Sequence, residues 1–283
     1  MEPFVREQQR GEEPQLLKLQ GWMNQIPGLS AGFSTRHGGT SKGEWNSLNC
    51  ALHVRDREAD VIRNRELIAE ELGLPFETWT CAEQVHGNRV HIVTNAERGA
   101  GRLSRESAIQ SADSLITNEP GIWLTAFYAD CVPLYFVDPV KRAIGLAHAG
   151  WKGTVMEIAA ETVKAMEYTY ECRPEDILAS IGPSIGVCCY EVDEKVMERV
   201  KPIYGQQADP EEAKKAYSSL DNGKYMLDLK EINRHIMIKA GILPMNIELS
   251  EWCTSCHTDL FFSHRKEQGA TGRMVSWIGF EKR

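Results

Sequence analysis

The chain has 283 residues, 42% of them hydrophobic and 25% charged, which is enough apolar material for a sizeable core. Its formal net charge of −8 argues against nucleic acid as the main partner, since phosphate-backbone binding needs clustered Lys and Arg. A small anionic substrate, which a few arginines in a cleft can hold, stays open.

No apolar run approaches the roughly 20 residues that span a bilayer, so no membrane partner is expected. The opening MEPFVREQQRGEEPQ is polar and acidic, unlike a secretory signal. A cytoplasmic protein is expected, with its eight cysteines as reduced thiols. No internal repeat or low-complexity linker divides the chain. A single catalytic domain over 1–283 is expected, with 1–15 as a flexible tail and a helix-and-loop excursion around Gly205–Lys224.

In chain order, the first strand is expected at Gly32–Thr35. The following Arg36–His37–Gly38–Gly39–Thr40–Ser41 combines cations, glycines and hydroxyls. It reads either as an anion-binding loop, with Arg36 on a phosphate, or as a hairpin turn. Asn46 and Asn49, in WNSLNC, read as substrate hydrogen-bonding groups or as turn formers. A helix carries Val61, Ile62, Leu67, Ile68 and Leu72, with Gly73 and Pro75 as stop signals. Arg65 interrupts its apolar side, so the guanidinium either enters a cleft or snorkels to solvent. Strands are expected at Arg89–Thr94, Ser114–Thr117, Ile122–Ala129, Cys131–Val137 and Ala143–Ala147. From Gly153–Thr154 the period changes to that of a helix, through Val155, Ile158, Val163 and Met166. A strand at Ile177–Ile181, a helix at Lys230–Ala240 and strands at Asn246–Leu249 and Met274–Ile278 follow. The β runs outnumber the helices, which favours a mixed-sheet α/β sandwich over a strictly alternating fold.

Three polar residues stand where polar residues are costly. Cys131 lies between two apolar β runs, His148 ends AIGLAHAG before a turn into a helix, and His86 sits in EQVHGN. Two imidazoles and a thiolate suit zinc and leave a fourth position open. Alternatively, Cys131 is a nucleophile activated by His148 or His86, with Asp130 or an amide orienting the ring. The plainer alternative is a buried thiol and two core histidines, and spacing alone favours it because no compact metal motif is matched. The Gly/Pro segment IGPSIGVCCY can line a site or simply turn. Cys253–Thr254–Ser255–Cys256–His257 spells a haem-attachment pattern, but haem needs an export signal. As half a zinc site it lacks a second CxxC, so it is read as an ordinary loop with two thiols.

Taken in order, GFSTRHGGTSKGEWNSLNCALHVRD, VIRNRELIAEELG, CAEQVHGNRV, ADSLIT, YADCVPLYFVD, GLAHAGWKGTV, IGPSIGVCCYEV and CTSCHTDLFFSHRKEQGATGRM cover about residues 30–283. Through them the sequence resembles the bacterial YfiH/YlmD-like proteins, once called laccase-domain or multicopper polyphenol oxidase proteins and later recognised as purine nucleoside-acting enzymes. The resemblance implies a layered α/β/β/α (α+β) sandwich with mixed sheets, similar to the catalytic domain of cytotoxic necrotizing factors. It also implies that His86, Cys131 and His148 converge on zinc, with copper as the alternative ion. The implied reactions are phosphorolysis of adenosine, inosine, guanosine and methylthioadenosine, and deamination of adenosine. The small-molecule partners would then be purine nucleosides and phosphate.

On this reading His86, Cys131, His148 and Arg65 are the expected catalytic residues, and Arg36, Asn46 and Asn49 the substrate-binding ones. Arg36 and Arg65 are the candidates for phosphate, and Asp130 or Glu83 for a proton shuttle. Lys152 departs from the arginine common after HAGW, keeping the charge but losing the bidentate fork. Cys50 replaces a common leucine without evident consequence. With eight histidines and no His-x-His pair, the chain does not fit a four-copper mechanism. The rival readings are a Cys131-dependent amidohydrolase, matching a peptidoglycan-editing role proposed for some relatives, and a non-catalytic nucleotide or metal sensor.

Overall fold

The segment Met274–Phe280 (MVSWIGF) is buried along its whole length, as a strand inside a sheet must be. A computed structural model describes residues 1–6, 13–205 and 210–282 and places this strand, β15, within a six-stranded sheet. Its companions are β1 (Phe4–Arg6), β2 (Leu16–Leu19), β3 (Leu29–Ser34), β4 (Trp79–Cys81) and β7 (Trp123–Tyr128), in the order β1-β2-β3-β15-β7-β4. A second six-stranded sheet contains β5 (Val90–Ile92), β6 (Ser114–Thr117), β8 (Val132–Asp138), β9 (Ala143–Ala149), β10 (Leu178–Ile181) and β14 (Ile247–Leu249). Its order is β14-β10-β8-β9-β6-β5. Parallel pairs (β4 with β7, β5 with β6, β10 with β14) stand beside antiparallel ones, so both sheets are mixed. A small sheet joins β11 (Glu191–Val192), β13 (Tyr225–Leu227) and β12 (Tyr217–Ser219).

Alternation along the central strands creates the layers. On β8, Val132, Leu134 and Phe136 join the core beneath the helices α4 (Ile158–Tyr170) and α7 (Leu229–Lys239), whereas Tyr135 and Val137 face the first sheet. On β9, Ala143, Ala147 and Ala149 take the helical side and Ile144 and Leu146 the sheet side. The outer face of the first sheet packs Trp79, Trp123, Val275 and Trp277 against Ile68 and Ala69 of α2 (Glu58–Glu71). The architecture is therefore α/β/β/α.

Two expectations change in detail. The helical pattern after Gly150 is two helices: α3 (Trp151–Val155) ends at Met156, Glu157 takes a left-handed φ of 56°, and α4 follows. At the N-terminus, the expected flexible tail contains β1, which pairs with Leu17–Leu19, and Phe4 is buried against Tyr135. The apolar Phe4 has a pocket to fill, and that outweighs the polar surroundings read from sequence. Residues 7–12 lie outside the described residues, as do 206–209 of the expected excursion. Beyond those, the excursion contains a short helix α6 (Pro210–Ala216) and then β12.

Buried tyrosine hydroxyls bridge the sheets: Tyr128 donates to the Ala147 carbonyl at 3.2 Å and Tyr135 to the Gly32 carbonyl at 2.7 Å. Tyr135→Phe is expected to lower unfolding stability by about 1 kcal/mol, the usual net value of such a bond. Urea denaturation checks this, with an unchanged m-value expected.

Candidate metal centre and cavity

Strand register assembles the site. β8 and β9 are antiparallel, with Val132 opposite Ala149, so Cys131 at the amino end of β8 meets the carboxyl end of β9, which carries His148. β6 flanks β9 on its other side, with Ser114 opposite Ala147. Asp113 therefore sits next to His148, whose amide donates to the Asp113 carbonyl at 2.7 Å. β5 runs parallel to β6, and the loop before it brings His86 to the same end of the sheet. The ligand atoms of His86, Cys131 and His148 lie within 4.8 Å of one another.

Asp113 is the part of the site that the sequence did not single out. Its buried carboxylate accepts from His148 Nδ1 at 3.0 Å and from the amides of Val85, His86 and Gly87 at 3.1, 2.9 and 2.7 Å. Burial opposes the charge, but these donors outweigh it and hold the carboxyl below its ordinary range. The bond to Nδ1 leaves His148 Nε2 for the site. The backbone of the EQVHGN loop folds tightly around the same carboxylate, with left-handed φ at Gln84 (61°) and His86 (60°).

Burial also works against the Cys131 thiolate, yet the His148 and His86 imidazoles bring the thiol down to about 6. His148 moves the opposite way. Burial lowers it, but Cys131 and Asp113 raise it to about 9. In the metal-free protein these are two sides of one thiolate–imidazolium pair.

The residues fit a bound metal. The donor set is two imidazoles and a thiolate, the histidine is oriented by a carboxylate, and space has been kept clear. A Cβ at Gly150 would stand 3.0 Å from both Cys131 Sγ and His86 Nδ1.

A cavity of about 510 Å³ opens over this set, a volume suited to a small organic ligand. Phe127, Trp151 and Tyr190 supply aromatic wall, and Lys152, Arg265 and Arg273 supply cations. Arg265 stacks on Tyr190 at 5.0 Å and donates to the Glu191 carbonyl at 2.9 Å. His53 faces the same cavity; desolvation there and the charge of Arg273 push its imidazole down to about 4, so it is neutral.

A family model described as multi-copper polyphenol oxidoreductase laccase matches residues 30–281. The chain belongs to that family. It is 44% identical to "Purine nucleoside phosphorylase YlmD" of Geobacillus stearothermophilus over 93% of this chain and 95% of that protein. It is 43% identical to the protein of the same name from Bacillus subtilis, over 95% and 96% of the two chains. Among solved structures, YlmD from Geobacillus stearothermophilus superposes with a TM-score of 0.91 at 41% identity, covering 99% of this chain and 100% of that one. A Bacillus licheniformis protein described as hypothetical protein YfiH gives 0.90 at 42%, covering 98% and 99%.

The family's laccase description meets the residues poorly. Among the described residues, two groups of three or more ligand-type side chains converge, and the one facing the cavity contains two of the eight histidines.

Several expected site residues stand elsewhere. Arg65 is 2% exposed and does not line the cavity; it donates to the carbonyls of Cys50, Gly101 and Arg102 and lies 4.4 Å over the Phe127 ring. Three loop carbonyls, rather than the main cavity or solvent, receive its guanidinium. Arg36 pairs with Glu267 at 2.9 Å and donates to the carbonyls of Asn46 and Thr258. It ties down the loop that carries Arg265 and Arg273.

Asn46 is outside the cavity wall. Asn49 is fully buried, and its side chain accepts from the Ala51 and Arg273 amides. Asp130 lines the cavity, but its oxygens already accept from Thr254 Oγ1, Ser263 Oγ and the Arg265 amide, so it is no free proton shuttle. Glu83 pairs with Arg105 and accepts from the Ser111 amide, away from the cavity wall. Lys152, Arg265 and Arg273 are the cations that sequence reading did not assign to the site; Lys152, following HAGW, carried the one available signal.

Two outcomes follow. Asp113→Asn should weaken zinc affinity about 10- to 100-fold, the usual effect of losing a ligand's orienting partner, as read by competition with a chromophoric chelator. Arg65→Met leaves three carbonyls without their donor, so thermal or urea unfolding should show a loss of several kcal/mol, about 3 or more. The fraction that stays folded should keep its metal stoichiometry.

Proposed function

We propose that the chain is a zinc-dependent purine nucleoside phosphorylase, acting on adenosine, inosine, guanosine and methylthioadenosine, with adenosine deamination as a lesser activity. The observation that carries this reading is that one cavity is lined both by the His86–Cys131–His148 set and by Lys152, Arg265 and Arg273. The names of the relatives support it.

In phosphorolysis, a phosphate oxygen attacks the anomeric carbon as the bond to the purine nitrogen breaks, and the bond's electron pair leaves with the base. Lys152, Arg265 and Arg273 hold the phosphate dianion and offset its charge, which a site withdrawn from bulk water makes effective. The faces of Phe127, Trp151 and Tyr190 take the apolar purine, and neutral His53 offers a hydrogen bond without adding charge. His86, Cys131 and His148 would hold the zinc, which would supply a Lewis acid. The same ligands would bind copper more tightly, so adventitious copper can give such a protein weak oxidase activity.

Deamination asks for a carboxyl that moves protons. The one carboxylate among the described residues of the cavity wall, Asp130, is already occupied, so this reaction is the slower one.

One feature favours a second reading. Cys131, His148 and Asp113 follow one another in the order of a thiol nucleophile, its base and an orienting carboxylate, as a Cys-dependent amidohydrolase requires.

Purified protein incubated with adenosine separates these readings. Phosphate-dependent adenine release should exceed inosine formation, fall at least 100-fold with chelator, return with zinc, and be absent from Cys131→Ala. Unchanged adenosine with folded, zinc-loaded protein would overturn the nucleoside reading. Covalent trapping of Cys131 by an amide-mimicking electrophile, with amidase activity surviving chelation, would establish the second one.

A further inference from the structure

A second set of sulfurs converges away from the cavity's ligand set. Cys188 and Cys189 come from the turn after Gly186, and Cys253 and Cys256 from a CxxC 64 residues beyond Cys189. Cys256 Sγ lies 3.4 Å from Cys188 Sγ and 3.4 Å from Cys189 Sγ, and all four sulfurs are within 4.8 Å of one another. These separations bracket the ~3.8 Å between sulfurs that bonds of about 2.3 Å to one tetrahedral zinc ion require. They are far from a disulfide's ~2.05 Å. Around an iron–sulfur cluster the sulfurs bind different iron atoms and stand farther apart, which these do not.

The surroundings are built for the sulfurs. The Gly186 amide donates to Cys253 Sγ at 3.2 Å, an N–H···S bond of the kind that orients a thiolate ligand. A Cβ at Gly186 would come within 3.3 Å of Cys188 Sγ and of Cys253 Cβ, so a side chain there would crowd the sulfurs. Adjacent cysteines in a strand point to opposite faces. In the turn, Cys188 and Cys189 both reach Cys256.

We propose that Cys188, Cys189, Cys253 and Cys256 bind a second zinc ion as a closed tetrathiolate site, which fastens the Tyr190–Arg265 wall of the cavity to the loop beside Asp130. The two segments it joins already touch through a bridge between Ser184 and Cys253. On one side Cys189 is followed by Tyr190, on which Arg265 stacks. On the other, Cys253 is followed by Thr254, whose hydroxyl donates to Asp130 at 2.7 Å, next to the cavity's own Cys131. With four protein sulfurs the ion has no open position, so its role is structural. The inference stands independently of the nucleoside reading.

Elemental analysis of full-length protein purified in zinc-supplemented buffer under reducing conditions tests it. Two zinc ions per chain are expected in the native protein, one in His86→Ala/His148→Ala and one in Cys188→Ser/Cys256→Ser. In case the cysteine variant fails to fold, the histidine variant is also reconstituted with cobalt(II) chloride. One cobalt with the intense sulfur-to-metal absorption of four thiolates is expected, together with protection of four cysteines from alkylation. A histidine variant without metal, or four freely alkylated thiols at these positions, would overturn the proposal. So would a Cys–Cys disulfide found by mass spectrometry.

Discussion

Four hydrogen bonds to one buried carboxylate set the geometry of the cavity's candidate metal-ligand set. Asp113 takes a ring N–H from His148 and three consecutive amides from the loop that carries His86. Each is a charge-assisted bond of about 1.5–3 kcal/mol in favourable surroundings. Together they offset the cost of burying the charge. They also offset the left-handed backbone at Gln84 and His86, residues that do not favour it unaided. Without a buried acceptor at this spot, the EQVHGN loop would have no reason to present His86 toward His148. The two imidazoles are thus coupled through a residue that is not itself in the ligand set.

The sheets make that carboxylate available. β6 lies between β5 and β9, so the residue just before it, Asp113, is within reach of the segments adjoining both neighbours. The Ala129–Asp130–Cys131 connection passes from β7 in one sheet to β8 in the other, with Asp130 at φ 80°. Cys131 therefore emerges where the two sheets part, which is where a cavity can open without breaking either core. Asp130 holds that crossing in place by accepting from Thr254, Ser263 and the Arg265 amide. The C-terminal loop is thereby tied to the residue before Cys131.

What could be read from the sequence follows the range of the forces involved. Long apolar runs such as Val132–Asp138 and Ala143–Ala149 are local signals, and strands appear at them. His86, Cys131 and His148 were visible because each interrupts or ends such a run, though it was the family resemblance rather than spacing that joined them. Asp113 was hidden. A single acid before the short strand SLIT looks like any loop residue, and its role depends on register with β9 and β5. Arg65 shows the same limit. An arginine on an apolar helix face has several outcomes, and its choice rests on carbonyls of Cys50, Gly101 and Arg102, far apart in sequence. The cysteines of CTSCH looked unpartnered because their neighbours are an adjacent pair in a Gly-Pro loop rather than a second CxxC.

The presence of His86 weighs between the two chemistries open to Cys131. A thiol nucleophile needs one imidazole and an orienting carboxylate, and His148 with Asp113 already supplies both. A second imidazole at ligand distance from the same sulfur adds nothing to proton abstraction, yet the loop adopts unfavourable backbone angles to deliver it. Gly150 points the same way, since its missing side chain keeps clear a space between Cys131 Sγ and His86 Nδ1 that a two-residue nucleophilic pair would have no need to protect. Both features acquire a physical reason when the three side chains share one ion. The cavity over this set is also lined by Lys152, Arg265 and Arg273, so the cations and the three converging side chains share one space of small-molecule size.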